Sequence, residues 1–347
     1  MSTHEKKPGA PTIYDVAREA GVSYSTVSRT LTGYEFVKVS TREKVLRAAE
    51  KLGYVPNQQA RSLAGGRSNM IGVLVPALNN SYITEILRGI DEELSNSDYN
   101  LLLYTTHRRH GKESTYAATI TNSGAEGLLL VVPLIPASYL SALRDQDFPY
   151  VLIDQSDPTA ESATVNTTNW QGAYEATAYL IALGHRRIGF VGGLAGLNSA
   201  AERLRGYRDA LVAHDIPLES ALIVDGGFTE QGGFDAAQKL LALPDLPGAI
   251  FASNDLSATG VIEATRQRGL RVPQDISVIG FDDIPQASLI YPKLTTVRQP
   301  LDQMGREAVA LLLEQIEQPG GEKRQVMLET TLIIRESCAP PRRPGGA

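Results

Sequence analysis

Beyond residue 68 the chain alternates short apolar runs with segments of helical periodicity, and this alternation restricts the possible folds more than any other feature. The apolar runs lie at 71–75, 100–104, 127–132, 150–154, 187–191, 249–252, 277–281 and 294–297. The main helical segments lie at 82–95, 170–183, 200–213, 229–242, 255–268 and 301–317. A strand–helix–strand order predicts parallel sheets covered by helices on both faces. Because about 270 residues are too many for one sheet, we expect two lobes.

Two short helices joined by a glycine-containing turn are predicted for the segment that begins at Thr12, TIYDVAREAGVSYSTVSRTL. Apolar residues recur there at helical spacing, and Thr12 with Asp15 resembles a capping box. Gly21 ends the first helix because glycine tolerates a positive φ. Ser23 then caps a second helix over 24–31. This pattern is typical of a helix-turn-helix unit.

A third helix is predicted to start at Ser40, with Glu43 completing a capping box and Gly53 ending the helix. Its expected core face comprises Val45, Leu46, Ala49 and Leu52. Three helices of this kind form either a plain bundle or a DNA-binding domain. The second helix gathers side chains suited to base edges and phosphates, namely Tyr24, Ser25, Thr26, Ser28 and Arg29. These side chains favour DNA binding.

The charge distribution supports the same interpretation. The net charge of −6 is unfavourable for a chain that binds a polyanion along its whole length. Residues 1–67, however, hold 11 Lys and Arg against 6 Asp and Glu, whereas the remainder holds 22 against 33. A basic head on an acidic body is expected where only the head meets phosphate.

The segment that follows the third helix, YVPNQQARSLAGG, predicts one further short helix. Pro56 and Asn57 suit a helix start, and Gly65 with Gly66 suits a stop. A helix this short is marginal alone, so it needs a partner helix or DNA to become ordered. An ordinary linker is the alternative interpretation.

The motifs TIYDVAREAGVSYSTVSR, VSTREKV and YVPNQQARSLAGG resemble the headpiece and hinge of the LacI/GalR family of bacterial repressors. The resemblance continues through VIGFDD and LTTVRQP to about residue 336. It implies an all-α helix-turn-helix headpiece and an α/β two-lobed core like that of periplasmic sugar-binding proteins, with parallel sheets and three crossing strands. The expected domains are a headpiece at 1–56, a hinge helix at 57–67, an effector-binding and dimerisation domain at 68–336, and a disordered tail at 337–347.

The DNA-contacting residues that we predict with this family in view lie in the headpiece and the hinge. They are Thr12, Tyr14, Ser23, Tyr24, Ser25, Thr26, Ser28, Arg29, Asn57, Ala60, Leu63 and Ala64. Arg29 is expected to contact a guanine in the major groove. By the resemblance, Leu63 wedges into the minor groove, and the hinge helix forms only on specific DNA.

Polar residues directly follow several predicted strands: Asp154, the pair Asn254 and Asp255, and the pair Asp282 and Asp283. Open α/β sheets bind ligands at the carboxyl ends of their strands, so these residues favour a ligand site together. Taken singly, helix capping explains Asn254 and Asp255 better. The resemblance completes the predicted effector-binding set, which is Tyr82, Asp154, Arg203, Phe228, Asn254 and Asp282. The expected effector is a small molecule, with a sugar favoured.

Catalytic and metal-binding functions have little support. No histidine is spaced from Cys or acidic residues as in a metal site, and Cys338 is the single cysteine. No phosphate-binding glycine motif occurs. We therefore expect no enzyme activity, no catalytic residue, no metal and no cofactor.

The alternative from another functional class is the solute-binding protein of a transporter, which has the same core. Such a protein needs an export signal and has no headpiece. The polar start MSTHEKKPGAPT lacks an apolar signal core, so we expect a cytoplasmic protein with no membrane segment.

The expected partners are double-stranded operator DNA, the effector and a second copy of the chain. The C-terminal sequence CAPPRRPGGA has no heptad pattern, so we expect no coiled-coil tetramer. A two-fold dimer is expected instead, because it matches a pseudo-palindromic operator.

Overall fold

Two units make up the chain, and they divide between Ser68 and Asn69. The computed structural model describes residues 11–31, 34, 36–54, 68–109, 111–134, 137–157 and 159–342. Within these residues the first unit is all helical and the second is α/β, which confirms the predicted fold class.

The first unit contains α1 (Ile13–Ala20), α2 (Tyr24–Leu31) and α3 (Val39–Leu52). The Asp15 carboxylate accepts hydrogen bonds from the Thr12 backbone N–H at 2.9 Å and the Thr12 hydroxyl at 2.7 Å. The Ser23 hydroxyl accepts from the backbone N–H of Thr26 at 3.2 Å, and Gly21 has φ +66°. The predicted start of α1, turn and start of α2 are therefore confirmed.

Two details predicted for α3 are wrong. The helix begins at Val39 rather than Ser40, and no side chain caps its first turn. Leu46 is 49% exposed, whereas Val45 is fully buried. Residues three and four apart share a helix face, so Ala48 and Ala49 join Val45 in the core and Leu46 faces outward.

The first lobe of the second unit is built on a six-stranded parallel sheet. Its strands are β1 (Met70–Val75), β2 (Asn100–Thr105), β3 (Gly127–Val131), β4 (Tyr150–Ile153), β5 (Ala163–Thr167) and β11 (Gln325–Leu328), in the order β11-β5-β4-β3-β1-β2. One face packs against α4 (Ser81–Leu94) and α11 (Leu301–Glu317). The other face packs against α5 (Lys112–Asn122) and α6 (Ala137–Asp145).

The second lobe is built on another six-stranded sheet. Its strands are β6 (Ile188–Gly192), β7 (Ile223–Asp225), β8 (Ala249–Ala252), β9 (Ser277–Asp282), β10 (Thr295–Arg298) and β12 (Thr331–Ile333), in the order β12-β10-β9-β8-β6-β7. Helices α7 (Asn169–Ala182) and α8 (Asn198–Ala213) cover one face, and α9 (Glu230–Leu240) and α10 (Asp255–Gln267) cover the other. The sheet is parallel apart from β12, which pairs antiparallel with β10 at the edge.

The chain crosses between the lobes after β5, after β10 and after β11. The three crossings bond to one another. The backbone N–H of Thr330 in the third crossing donates to the Thr168 hydroxyl in the first at 2.9 Å. The Thr167 hydroxyl donates to Gln299 Oε1 in the second crossing at 2.5 Å.

The prediction of a disordered tail from residue 337 is wrong for its first residues. Ser337 is fully buried, and its hydroxyl donates to the Val278 carbonyl at 2.6 Å. The same oxygen accepts from the backbone N–H of Thr295 at 2.8 Å. Ser337 thus satisfies main-chain groups of two neighbouring strands, and Cys338 packs on the adjoining core. Residues 343–347 lie outside the described part of the chain.

We expect the substitution Ser337→Ala to lower the free energy of unfolding by about 1–3 kcal/mol, because it leaves buried main-chain groups without their side-chain partner. Urea denaturation measures the change. The control is Ser114→Ala at an exposed position of α5, where we expect a change within about 0.5 kcal/mol. Equal effects of the two substitutions would show that the C-terminal segment does not stabilise the second lobe.

Candidate functional site

A cavity lies between the two lobes, where the strands of both sheets end. The first lobe contributes, among others, Pro76, Tyr82, Arg108, Val132 and Asp154. The second lobe contributes, among others, Ser199, Arg203, Phe228, Asn254 and Asp282. The structure therefore brings all of the predicted effector-binding residues together.

Arg203, on α8, is the buried cation of the cavity, and it is held from several sides. Its Nε donates to Asn169 Oδ1 at 2.8 Å, and its Nη1 donates to the Ser253 carbonyl at 2.6 Å. Nη1 also lies 3.3 Å from Asp282 Oδ1. The guanidinium carbon lies 3.9 Å from the centre of the Phe281 ring, which places the cation over an aromatic face. The side chain is thus oriented without any ligand.

Asp282, the last residue of β9, is the acid that pairs with Arg203. Its Oδ1 also accepts from Gln299 Nε2 at 2.7 Å. Burial raises the pKa of Asp282 to about 7, although Arg203 and Gln299 act in the opposite direction. Burial likewise raises the pKa of Asp154 across the cavity. Near neutral pH the Asp282 carboxyl can therefore gain or lose a proton.

Some buried polar atoms at the cavity have no hydrogen-bond partner within the described residues. They are Asp154 Oδ1 and Tyr82 Oη, whose side chains nevertheless lie close enough to influence each other's pKa. The other oxygen of Asp154 accepts a long bond, 3.4 Å, from the Ser199 hydroxyl. Buried polar groups are normally paired, since an unpaired one costs free energy. A ligand with several hydroxyl groups matches these atoms.

Helix capping and cavity lining coincide at Asn254 but not at its neighbour. Asn254 Oδ1 accepts from the backbone N–H of Ser257 at 3.0 Å, and Nδ2 donates to the Phe228 carbonyl at 3.2 Å. One amide hydrogen of Asn254 remains for a ligand. Asp255 does not line the cavity, because its oxygens accept from the Thr296 hydroxyl at 2.5 Å and the Ile284 backbone N–H at 2.9 Å.

Aromatic packing in the second lobe depends on a glycine beside the cavity. The Phe228 ring lies so close to Gly193 that an added Cβ there would come within 2.1 Å of it. A larger residue at position 193 would displace the ring from the wall of the cavity. Phe228 also has φ +60°, and the Val132, Asp154 and Asp282 backbones have φ of +47°, +55° and +113°. Left-handed backbone at non-glycine residues is strained, and such strain concentrates at functional sites.

The cavity residues that were absent from the predicted set are Pro76, Asn80, Ile83, Arg108, Val132, Leu197 and Ser199. Ser199 lies one helical turn before Arg203, and that spacing could have identified it. Gln299 was missed too, although it lies within the LTTVRQP motif. It joins Asp282 to Thr167, so hydrogen bonds connect the cavity to the crossings between the lobes.

The predicted DNA-contacting residues of the first unit lie on and beside α2. Tyr14 and Tyr24 are 63% and 45% exposed, and their rings stack at 5.3 Å. Ser25 and Arg29 are exposed, and the Arg29 guanidinium carbon lies 5.6 Å from the Tyr34 ring centre. Some of the remaining members form hydrogen bonds within the helix-turn-helix itself. These are Thr12 and Ser23, which cap helices, and Thr26, whose hydroxyl bonds to Ser23.

The hinge residues of the same set, Asn57, Ala60, Leu63 and Ala64, lie outside the described residues. Within those residues, no group of three or more His, Cys, Asp and Glu side chains is arranged to hold a metal ion. No helix in the described part of the chain combines the length and apolarity that crossing a membrane requires.

The raised pKa of Asp282 predicts a pH-dependent stability. An acid whose pKa is higher in the folded state favours folding below its unfolded pKa of about 4, and this contribution is lost as the pH rises through about 7. We therefore expect Asp282→Asn to gain stability relative to the unsubstituted protein by about 1–2 kcal/mol between pH 5 and pH 7. Urea denaturation at both pH values measures the difference. The control Asp145→Asn, at an exposed carboxylate, should show no such gain; a pH-independent difference for Asp282→Asn would contradict the prediction.

Both units match known protein families. Residues 12–57 match the bacterial regulatory proteins of the lacI family, and residues 177–338 match the periplasmic binding protein-like domain. The match of the first unit favours a regulator over the solute-binding protein of a transporter.

Characterised relatives cover nearly the whole chain. It is 36% identical over 327 residues to the HTH-type transcriptional repressor PurR of Photobacterium profundum, covering 94% of this chain and 98% of the relative. It is 35% identical over 335 residues to the HTH-type transcriptional repressor CytR of Escherichia coli K12, covering 96% and 98%.

Solved structures agree with this relationship. A lac repressor dimer bound to operator and the anti-inducer ONPF has a TM-score of 0.84 at 30% identity, covering 95% of this chain and 99% of that one. The complex of the transcriptional regulator CelR with cellobiose has a TM-score of 0.73 at 34% identity, covering 94% and 99%. The chain therefore belongs to the lacI family of bacterial regulatory proteins and is a transcription regulator.

Proposed function

We propose that this regulator is a repressor that binds a pseudo-palindromic operator as a homodimer, and that a hydroxylated small molecule in the interlobe cavity controls its operator affinity. The observation that carries the proposal is the cavity itself, where the buried Arg203–Asp282 pair faces unpartnered polar atoms of Tyr82 and Asp154. The operator-bound lac repressor dimer and the CelR–cellobiose complex support the proposed partners. A protein that binds operator DNA acts in the cytoplasm, so we place this regulator there. We assign it no enzyme activity.

The proposed DNA-reading surface is the exposed face of α2. Arg29 suits a bidentate contact to a guanine, since its guanidinium carries paired donors. Tyr24 and Ser25, which are exposed on the same helix, set further sequence preference. Residues 57–64 are proposed to form a hinge helix on specific DNA, with Leu63 inserted into the minor groove.

The proposed coupling starts at the hydrogen-bonded path from Asp282 through Gln299 to Thr167. A ligand that bonds to Asp282 and to Asp154 contacts both lobes at once. It therefore favours one relative position of the lobes, and the crossings are where the chain must adjust. The coupling is reciprocal. If the effector lowers the affinity for operator tenfold, operator lowers the affinity for the effector tenfold, and the coupling free energy is about 1.4 kcal/mol.

We expect Arg29→Ala to weaken binding to an operator selected from random DNA by about 1–3 kcal/mol, through loss of one base contact. Fluorescence anisotropy with labelled duplex measures the affinity. The control Arg18→Ala removes an exposed cation of α1, whose partner is Asp15 at 3.4 Å. If both variants bind the operator equally well while remaining folded, Arg29 does not read the sequence.

We expect Asp282→Ala to abolish the response to an effector found by a thermal-shift screen of sugars and nucleobases, because it removes an acceptor at the cavity. Operator binding should persist, since the helix-turn-helix is unchanged. Calorimetry measures effector affinity and anisotropy measures operator affinity. Unchanged effector affinity would place the effector elsewhere, and loss of both affinities would show that Asp282 maintains the fold.

A further inference from the structure

A second arginine lines the cavity opposite the one already described. Arg108 follows β2 in the first lobe, whereas Arg203 comes from α8 in the second. Arg203 donates through its Nε and Nη1 to Asn169, Ser253 and Asp282. The Arg108 guanidinium, by contrast, makes no hydrogen bond or ion pair within the described residues, and no nearby carboxylate influences its pKa.

The loop around Arg108 is shaped so that this side chain is partly buried at the cavity while its neighbour is exposed. His107 and Arg108 have φ of +51° and +53°, and the Arg108 backbone N–H donates to the Thr106 hydroxyl at 3.2 Å. Arg109, the next residue, is exposed to solvent and does not line the cavity. Burial lowers the pKa of Arg108, but a guanidinium stays charged at neutral pH.

The acids of the cavity do not neutralise this cation. Asp282 pairs with Arg203, and Asp154 lies next to Ser199 and under the influence of Arg203. Burial also raises the pKa of both acids, and the value of about 7 for Asp282 reduces the negative charge of that acid near pH 7. A partly buried cation without a counter-ion costs free energy, and an anion from the ligand removes that cost.

We propose that the effector carries an anionic group, a carboxylate or a phosphate, that Arg108 binds. The hydroxyl groups of the same molecule would bond to Asp154 and Asp282, so the effector is a sugar acid or a sugar phosphate. This inference rests on the proposed function, because it names the chemical class of ligand for the same cavity.

The test uses the purified full chain and matched pairs of neutral and anionic sugars. The carboxylate probes are glucuronate and galacturonate, the phosphate probes are glucose 6-phosphate and galactose 6-phosphate, and the neutral probes are glucose and galactose. Thermal shift identifies probes that bind, and calorimetry gives their affinities. We expect a carboxylate or a phosphate probe to bind roughly 10- to 100-fold more tightly than its neutral parent, as one charge-assisted contact predicts. Whether the carboxylate probes or the phosphate probes bind identifies the anionic group.

Two variants assign that preference to one residue. Arg108→Gln should remove most of the advantage of the anionic probe and lower the affinity for the neutral parent far less. Arg109→Gln makes the same change of charge one residue further along the loop, outside the cavity, and should behave as the unsubstituted protein.

Other outcomes overturn the proposal. The first is that neutral sugars bind as tightly as their acids and phosphates. The second is that Arg108→Gln loses no more affinity for the anionic probe than Arg109→Gln does. If a neutral sugar then binds the unsubstituted protein but not Asp282→Ala, the effector cavity is retained and only its anionic specificity is lost. If none of the probes binds, the assignment to these anionic sugars is rejected, and operator binding by the same preparation shows separately whether the regulator function stands.

Discussion

The buried contact between Arg203 and Asp282 is the interaction on which the organisation of the cavity depends. A buried ion pair contributes little net stability, because desolvation offsets the attraction. Here the cost falls because Asn169 and the Ser253 carbonyl accept from the guanidinium and the Phe281 ring lies beneath it. The pair thereby connects the start of α7, the second turn of α8 and the carboxyl ends of β8 and β9 at one point. Its location at a cavity is better explained by ligand binding than by stability.

The two lobes contribute unequally to that cavity. On the second lobe, Arg203, Asn254 and Asp282 are already held by neighbouring groups. On the first lobe, Tyr82 Oη and Asp154 Oδ1 lack partners among the described residues. Under the proposed function, a ligand would dock on preformed second-lobe groups and gain new bonds from the first. Only such differential bonds can shift the balance between two lobe arrangements.

Local sequence patterns were sufficient to predict the helices and strands that bury apolar side chains. They were insufficient to predict the elements that carry many polar side chains. The strand β3, Gly-Leu-Leu-Leu-Val, was predictable because both its faces are buried. The strand β5, Ala-Thr-Val-Asn-Thr, is equally buried but was missed, because its polar side chains have distant partners. Thr167, for example, bonds to Gln299, 132 residues further along the chain. The helix α5 was missed because its threonine-rich sequence has only a weak apolar stripe.

The same limit explains which strand-end residues belong to the candidate site. The rule that ligands bind at the carboxyl ends of parallel strands selects Asp255 and Asp282 equally. The Thr296 hydroxyl donates to one oxygen of Asp255 and the Ile284 backbone N–H donates to the other, so this acid connects the start of α10 to β10 and to the loop after β9. Asp282 meets Gln299 and Arg203 and faces the cavity. A sequence position therefore specifies the edge of the sheet on which a side chain lies, whereas partners distant in sequence decide whether that side chain supports the fold or remains available to a ligand.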